Sequence, residues 1–288
     1  MYEIVKNYRD NKALRDSFNA LAEATFGGLN FENWYQMGYW GDNYVPYSLV
    51  IDGKVAANVS LNRTDMVIGG ERKRVYQLGT VMTAPEHRNK GYSRILMAEV
   101  EKDIAGADGV YLFGNDDVVD FYPKFGFVPN REFLWHREVA QEGPCTLECR
   151  SMNSGENREA LAKAMEESTF PGGCAMVGNP GLVFFYAAQF MQENVYYCQA
   201  LDTWAIAELE DGELTLHNVF SRREISLDAV IAAFGAEVRH VTLGFSPADT
   251  TGFQCREWKD EDCNFFTRGK IFEAFADKKL RIPSLSHA

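Results

Sequence analysis

"YQLGTVMTAPEHRNKGYSRILMAEVEKDI" (residues 76–104) changes character twice. An uncharged run with strand-like composition ends at Pro85, and a basic turn, "RNKGYS" (residues 88–93), follows. Then Ile95, Leu96, Val100 and Ile104 recur on one helical face. A helix entered from a strand presents unpaired main-chain N–H groups and the positive end of its dipole, which suits an anion, phosphate above all. Gly91 allows close main-chain approach to a ligand, Arg88 and Lys90 add charge, and Ser93 offers a hydroxyl. The turn suits a pyrophosphate. Neither G-x-x-x-x-G-K-[ST] nor G-x-G-x-x-G is present, so ordinary ATP or NAD binding has no motif behind it.

Working outward, residues 1–24 are expected to be helical, with Leu14, Phe18, Leu21 and Ala22 on one face. The aromatic run at 31–47 suits core packing or an acceptor pocket equally. "YSLVI" (47–51), "KVAANVSL" (54–61) and "DMVI" (65–68), with Asp52-Gly53 and Gly69-Gly70 between runs, predict an antiparallel meander that returns through "KRVYQLGTVMT" (73–83). Downstream, "GVYLFG" (109–114) reads as a short buried strand, "DDVVDFY" (116–122) as a short helix, and "FGFVPNREFLWHREV" (125–139) as a returning strand. The fold class is an α/β sandwich: a mixed, mostly antiparallel sheet flanked by helices. "EVAQEGPCTLECR" (138–150) marks a boundary, giving lobes at 1–140 and 150–288. Past it the order of elements recurs, ending in a helix near 227–234 and a strand "EVRHVTLGF". There "FSRREISLDAV" (220–230) stands where the basic turn would, with no glycine, so the second lobe reads as a degenerate copy.

"TAPEHRNKGYSRILM" (83–97) resembles the acetyl-CoA signature of the GCN5-related N-acetyltransferase (GNAT) superfamily, [RQ]-x-x-G-x-[GA], with Arg88, Gly91 and Ser93 at the fixed places. Ser93 replaces the usual Gly or Ala. "FYPKFGF" (121–127) resembles that family's second motif. The two-lobed order is similar to the enhanced-intracellular-survival branch without its third domain. The resemblance implies acetyl-CoA as co-substrate, held by the main chain of Val81, Met82 and Thr83, by Arg88, Asn89, Lys90, Gly91, Tyr92 and Ser93, and by Asn115. It implies Tyr122 as general acid toward the departing thiolate, and direct transfer of acetyl to a primary amine of a small, cationic acceptor, without metal. Gln77 stands where some members carry a catalytic Glu. Asp116, Asp117, Asp120 and Glu86 are weak candidates for the base. In the survival branch a chain-terminal carboxylate serves, here Ala288; His287 in the same tail is an alternative, a solvated terminal histidine the plainer reading.

The formal charge of −12 argues against nucleic acid and is compatible with a cationic substrate. No apolar run is long enough to span a bilayer, and the N-terminus has no leader-like core, so no membrane partner and a cytoplasmic setting are expected. The six cysteines lack zinc-ligand spacing and are expected to be reduced and mostly buried. The oligomeric state stays open. Two rivals remain: a non-catalytic acyl-CoA sensor or scaffold, and an enzyme using a longer acyl donor.

Overall fold

A computed structural model describes residues 1–169 and 172–287. In chain order the first half runs β1 (Glu3–Lys6), α1 (Lys12–Phe26), α2 (Glu32–Gln36), β2 (Tyr44–Ile51), β3 (Lys54–Arg63), β4 (Met66–Ile68), β5 (Glu71–Lys73), β6 (Val75–Thr83), α3 (Tyr92–Asp103), β7 (Gly109–Gly114), β8 (Val128–Pro129) and β9 (Glu132–Glu138). The second runs β10 (Glu148–Cys149), α4 (Gly155–Glu167), β11 (Gly172–Met176), α5 (Pro180–Ala187), β12 (Val195–Cys198), β13 (Thr203–Glu210), β14 (Glu213–Ser221) and α6 (Leu227–Ala233). It ends in β15 (His240–Leu243), β16 (Ser246–Pro247), β17 (Gln254–Trp258), β18 (Asn264–Arg268) and α7 (Ala274–Asp277).

Two seven-stranded sheets carry the halves, in orders β1-β2-β3-β6-β7-β18-β8 and β10-β12-β13-β14-β15-β9-β17. Each is antiparallel except at one pair: β6 runs parallel to β7, and β14 to β15. In both, the parallel pairing stops early. Val75–Leu78 pair with Gly109–Leu112, and Glu213–Leu216 with His240–Leu243; beyond those residues the strands part. The internal repeat is thus visible in the register of the sheets as well as in the element order.

Strand membership crosses the boundary expected from sequence. The run 125–139 splits: β8 stays on the first sheet beside β18, while β9 leaves to pair with β15 and β17. β18, from the far end of the chain, fills the vacated edge of β7. Asn130 makes the bend, its main-chain N–H donating to Phe265 O and its side chain to Thr267 Oγ1 and Phe272 O. β18 fits because its residues alternate. Phe266 joins the core under α3 with Leu78, Leu112 and Tyr122, and Phe265 packs on the opposite face with Tyr111, Phe272 and Phe275.

Two other expectations change. The first residues form β1 against β2, with Asn7 at φ +53° ending the strand; α1 begins only after Asn11, whose side chain accepts from Leu14 N. The returning run 73–83 breaks at Arg74: β5 closes a hairpin with β4, and that hairpin joins β11 and β16 in a four-stranded sheet.

α5 is apolar around its circumference and lies between the halves. Leu182 and Phe185 pack with Phe18, Phe31 and Trp40, while Val183 and Phe184 pack with Met152, Leu161 and Ile206. The aromatic run is mostly core: Trp34, Trp40 and Tyr44 are buried, while Phe31, also buried, lines the cavity described below. Of the cysteines only Cys174 and Cys198 are buried; Cys145 and Cys149 are exposed, and all six are free thiols.

Candidate active site

The basic turn is where the sequence placed it. A short helical turn at Pro85–His87 leads into Arg88, and α3 starts at Tyr92 with Gly91 as its N-cap. Asn89 and Gly91 both have positive φ, +62° and +77°, so alternate peptides are turned and N–H groups gather at the helix mouth. No side chain caps α3, and a Cβ on Gly91 would meet nothing within 4 Å. The concavity is open. Arg88, Asn89 and Lys90 are exposed around it; Arg88 Nε donates to Thr83 O at 3.4 Å and Lys90 Nζ lies 3.3 Å from His87 Nδ1. Ser93 is half-buried and within 3.1 Å of Thr83 Oγ1, and Tyr92 packs on Tyr2 and His87.

The same point in the second half is closed. Ser226 Oγ accepts from Ala229 N and caps α6 itself. Arg222 and Arg223 are drawn aside to Asp202, Arg222 also reaching Glu167. The absent glycine is one part of that change; self-capping and internal charge pairing complete it.

Just before the turn lies a defect in β6. Asn58 opposes Met82 and Ser60 opposes Gly79, so Thr80 and Val81 face Val59 alone. Thr80 holds φ +47°, an unfavourable angle for a β-branched residue, fixed by Tyr44 Oη at 2.6 Å from its hydroxyl and by Asn58 Nδ2 donating to its carbonyl. Past Leu78, β6 has no partner in β7, which leaves the main chain of Val81, Met82 and Thr83 along the gap. Of their side chains, Val81 packs under α3, whereas Met82 turns into the opposite aromatic core. Met82 therefore offers only its main chain.

Tyr122 sits in the turn Tyr122–Phe125, its ring among Phe121, Phe127 and Phe266. Gly114, ending β7, makes room: a Cβ there would come within 2.9 Å of Tyr122 Cε2. Burial pushes the phenol up to about 12, so it stays protonated at neutral pH. Asn115 is exposed at the end of β7, where its carbonyl accepts from Val118 N. Asp116 is bound to Asn264 Nδ2 and Lys259, and Asp117, Asp120 and Glu86 are exposed.

A cavity of about 540 Å³ lies between the halves. Gln77 and Phe113 line it from β6 and β7, Phe31, Phe185 and Tyr186 give aromatic walls, and the C-terminal tail closes one side. The tail is docked, as its apolar composition suggested. Tyr111 and Tyr186 donate to the carbonyls of Ser286 and His287, both at 2.6 Å. His287 is not a solvated terminal residue: its ring stacks on Phe113 at 3.9 Å and burial drives its pKa down. Ala288 lies outside the described residues. The tail also meets two buried ionisable groups: Ile282 N donates to Glu132 Oε1 at 2.7 Å, and the tail's own Arg281 Nη1 donates to Leu243 O.

His217, on a strand with no motif around it, also lines this cavity, with Glu208 and Ser284. Its signal was absent because it depends on a bulge in β14. Ile206 opposes Asn218 and Ala207 opposes Leu216, so His217 is the extra residue.

Residues 12–129 match the acetyltransferase (GNAT) domain family. That match covers most of the first half of the chain, and the family's fold is one that supports acyl transfer. Solved structures extend the likeness over both halves. A probable N-acyltransferase from Enterococcus faecalis V583 superposes with TM-score 0.65 at 15% identity, covering 93% of this chain and 72% of that one. A GCN5-related N-acetyltransferase from Kribbella flavida gives 0.57 at 17% identity (93% and 71%). Eis1 from Mycobacterium abscessus gives 0.56 at 14% identity (92% and 73%). At such identities the likeness is one of fold. No curated protein matches by sequence. Among the described residues no helix is long and apolar enough to cross a membrane, and no cluster of three or more His, Cys, Asp or Glu could hold a metal.

Proposed function

We propose that the protein transfers acetyl from acetyl-CoA directly to a primary amine of a small acceptor, cationic before it loses a proton. The observation that carries this reading is the opening between β6 and β7. It starts at the uncapped mouth of α3, passes the bulge at Thr80–Val81, and faces the cavity lined by Gln77 and Phe113.

The residues present fit the co-substrate. The turned peptides around Asn89 and Gly91, with Arg88 and Lys90 beside them, suit a pyrophosphate, and the open space before Gly91 leaves room for one. The main chain of Val81, Met82 and Thr83 would hold the pantetheine arm, and Asn115 borders its path. Acetyl-CoA supplies the activated acetyl group. Tyr122 would hold a proton on Oη for the departing sulfur, and its raised pKa keeps the phenol protonated at neutral pH. The aromatic walls exclude water and favour an acceptor with an apolar body behind its amine, and the Glu208 carboxylate suits an ammonium.

The test is thiol release from acetyl-CoA against 2-phenylethylamine, hexylamine and spermidine, with Arg88→Glu and Tyr122→Phe alongside. Amine-dependent release suppressed by both substitutions supports the enzyme. Tight acetyl-CoA binding without release would favour the sensor instead.

A further inference from the structure

Three polar side chains meet where the tail crosses the second sheet. His217 Nδ1 lies 2.9 Å from Ser284 Oγ, and His217 Nε2 lies 3.0 Å from Glu208 Oε2. We propose that Ser284, His217 and Glu208 form a proton relay that takes the proton from the acceptor amine. The proposal rests on the acetyltransferase reading above and supplies the base that reading lacks.

The direction of the relay follows from the partners. An ionised Glu208 can only accept, so Nε2 carries the hydrogen; Nδ1 is then the acceptor, and Ser284 donates to it. Ser284 and His217 both line the cavity with Gln77 and Phe113, at the opening through which acetyl would arrive. The acceptor ammonium gives a proton to Ser284 Oγ as the serine's own proton passes to His217 Nδ1. The imidazolium so formed keeps its Nε2–H on Glu208, and the amine recovers its lone pair for attack. No bond forms to the serine.

Two features built into the backbone make the arrangement. The β14 bulge leaves His217 as the extra residue and aims its ring off the ladder. Gly244 clears the space beyond it: its φ is not positive, yet a Cβ there would stand 2.4 Å from Ser284 Oγ and 2.9 Å from His217 Cα. The groups facing His217 agree with a neutral resting imidazole. Burial lowers its pKa, Arg281 on the tail lowers it further, and Glu208 on β13 opposes both; His287, also on the tail, is itself held neutral by burial.

The experiment compares wild type with His217→Gln, Ser284→Ala and Gly244→Ala in acetyl transfer to 2-phenylethylamine and hexylamine, with acetyl-CoA binding measured by calorimetry. Glutamine keeps hydrogen bonds to both neighbours but does not titrate, so tail docking and melting temperature are retained. The relay predicts that kcat falls about 100-fold in each variant, the lower end for a general base, while acetyl-CoA affinity is unchanged. It predicts that the acid limb of the wild-type kcat/KM profile disappears in His217→Gln, and that imidazole partly restores His217→Ala. A purely structural role for the cluster would leave that limb in place. Full rate and an unchanged limb in His217→Gln would overturn the relay and leave acetyl transfer standing. Acetyl-CoA binding without transfer to any amine would overturn both.

Discussion

Gly91→Ala separates the fold from the cofactor site at a single atom. The glycine caps α3 at φ +77°, and the space its Cβ would enter contains nothing within 4 Å. The substitution therefore creates no clash, and its cost to folding is the left-handed backbone alone, about 1–2 kcal/mol. For a chain of this size that lowers the melting temperature by about 2–3 °C. Ligand binding responds on another scale. If the turn holds the pyrophosphate as proposed, the new methyl would crowd it against the turned N–H groups, and weakening two charge-assisted hydrogen bonds costs roughly 2–3 kcal/mol. Acetyl-CoA affinity should fall roughly 30- to 150-fold. Gly28→Ala is the control, since Gly28 also has positive φ (+101°) and open space, but lies just after α1, away from α3. Thermal melting and titration calorimetry on both variants read the two effects. Equal melting shifts with a loss of affinity only at Gly91 support the argument. Unchanged acetyl-CoA affinity in Gly91→Ala would refute the assignment of the turn as the pyrophosphate site.

Further outcomes follow from the same structure. Tyr122→Phe should keep acetyl-CoA affinity and lower kcat by about 10²- to 10⁴-fold; wild-type turnover in the phenylalanine variant would remove Tyr122 from the mechanism. Gly114→Ala should lose activity in the same direction, because its Cβ would stand 2.9 Å from Tyr122 Cε2 and 3.1 Å from Val118 Cγ2. Glu132 is held up to about 7 by burial, which outweighs the attraction of Arg281. The folded state thus binds this proton more tightly than the unfolded chain does, so stability is full below the ordinary carboxylate range and falls as pH rises through about 7. Melting of Glu132→Gln against wild type should show an advantage for glutamine that grows from pH 5 to pH 8; a constant difference would contradict this. Tyr111→Phe removes the buried donor to Ser286 O and should cost about 1–3 kcal/mol, read by denaturant melts.

The local parts of this protein were legible in its sequence and the exchanged parts were not. "RNKGYS" announces itself because a glycine N-cap, flanking cations and a following amphipathic face are all near neighbours in the chain. Asp211-Gly212 likewise marks the turn between β13 and β14, since that dipeptide favours a tight hairpin. In contrast, nothing in residues 125–139 says that the run divides at Asn130, because both pieces are strands and their partners lie more than a hundred residues away. β1 was hidden for a similar reason: only pairing with Tyr47–Val50 makes a strand of "EIVK". The His217 cluster joins β13, β14 and the tail through a one-residue bulge, and a bulge leaves no periodicity to read. The docking of the tail was foreseeable from its composition, but not the stacking of His287 on Phe113.

The exchange of β9 and β18 fixes how this chain can be divided and how it can mature. A fragment ending near residue 140 would carry β9 with no sheet to join and a bare β7 edge, an invitation to pair with another molecule. During synthesis the first sheet stays incomplete until residues 264–268 leave the ribosome, so it becomes whole only when nearly the entire chain exists. Two sheets that trade strands in this way cannot be cut apart at residue 140 without breaking both.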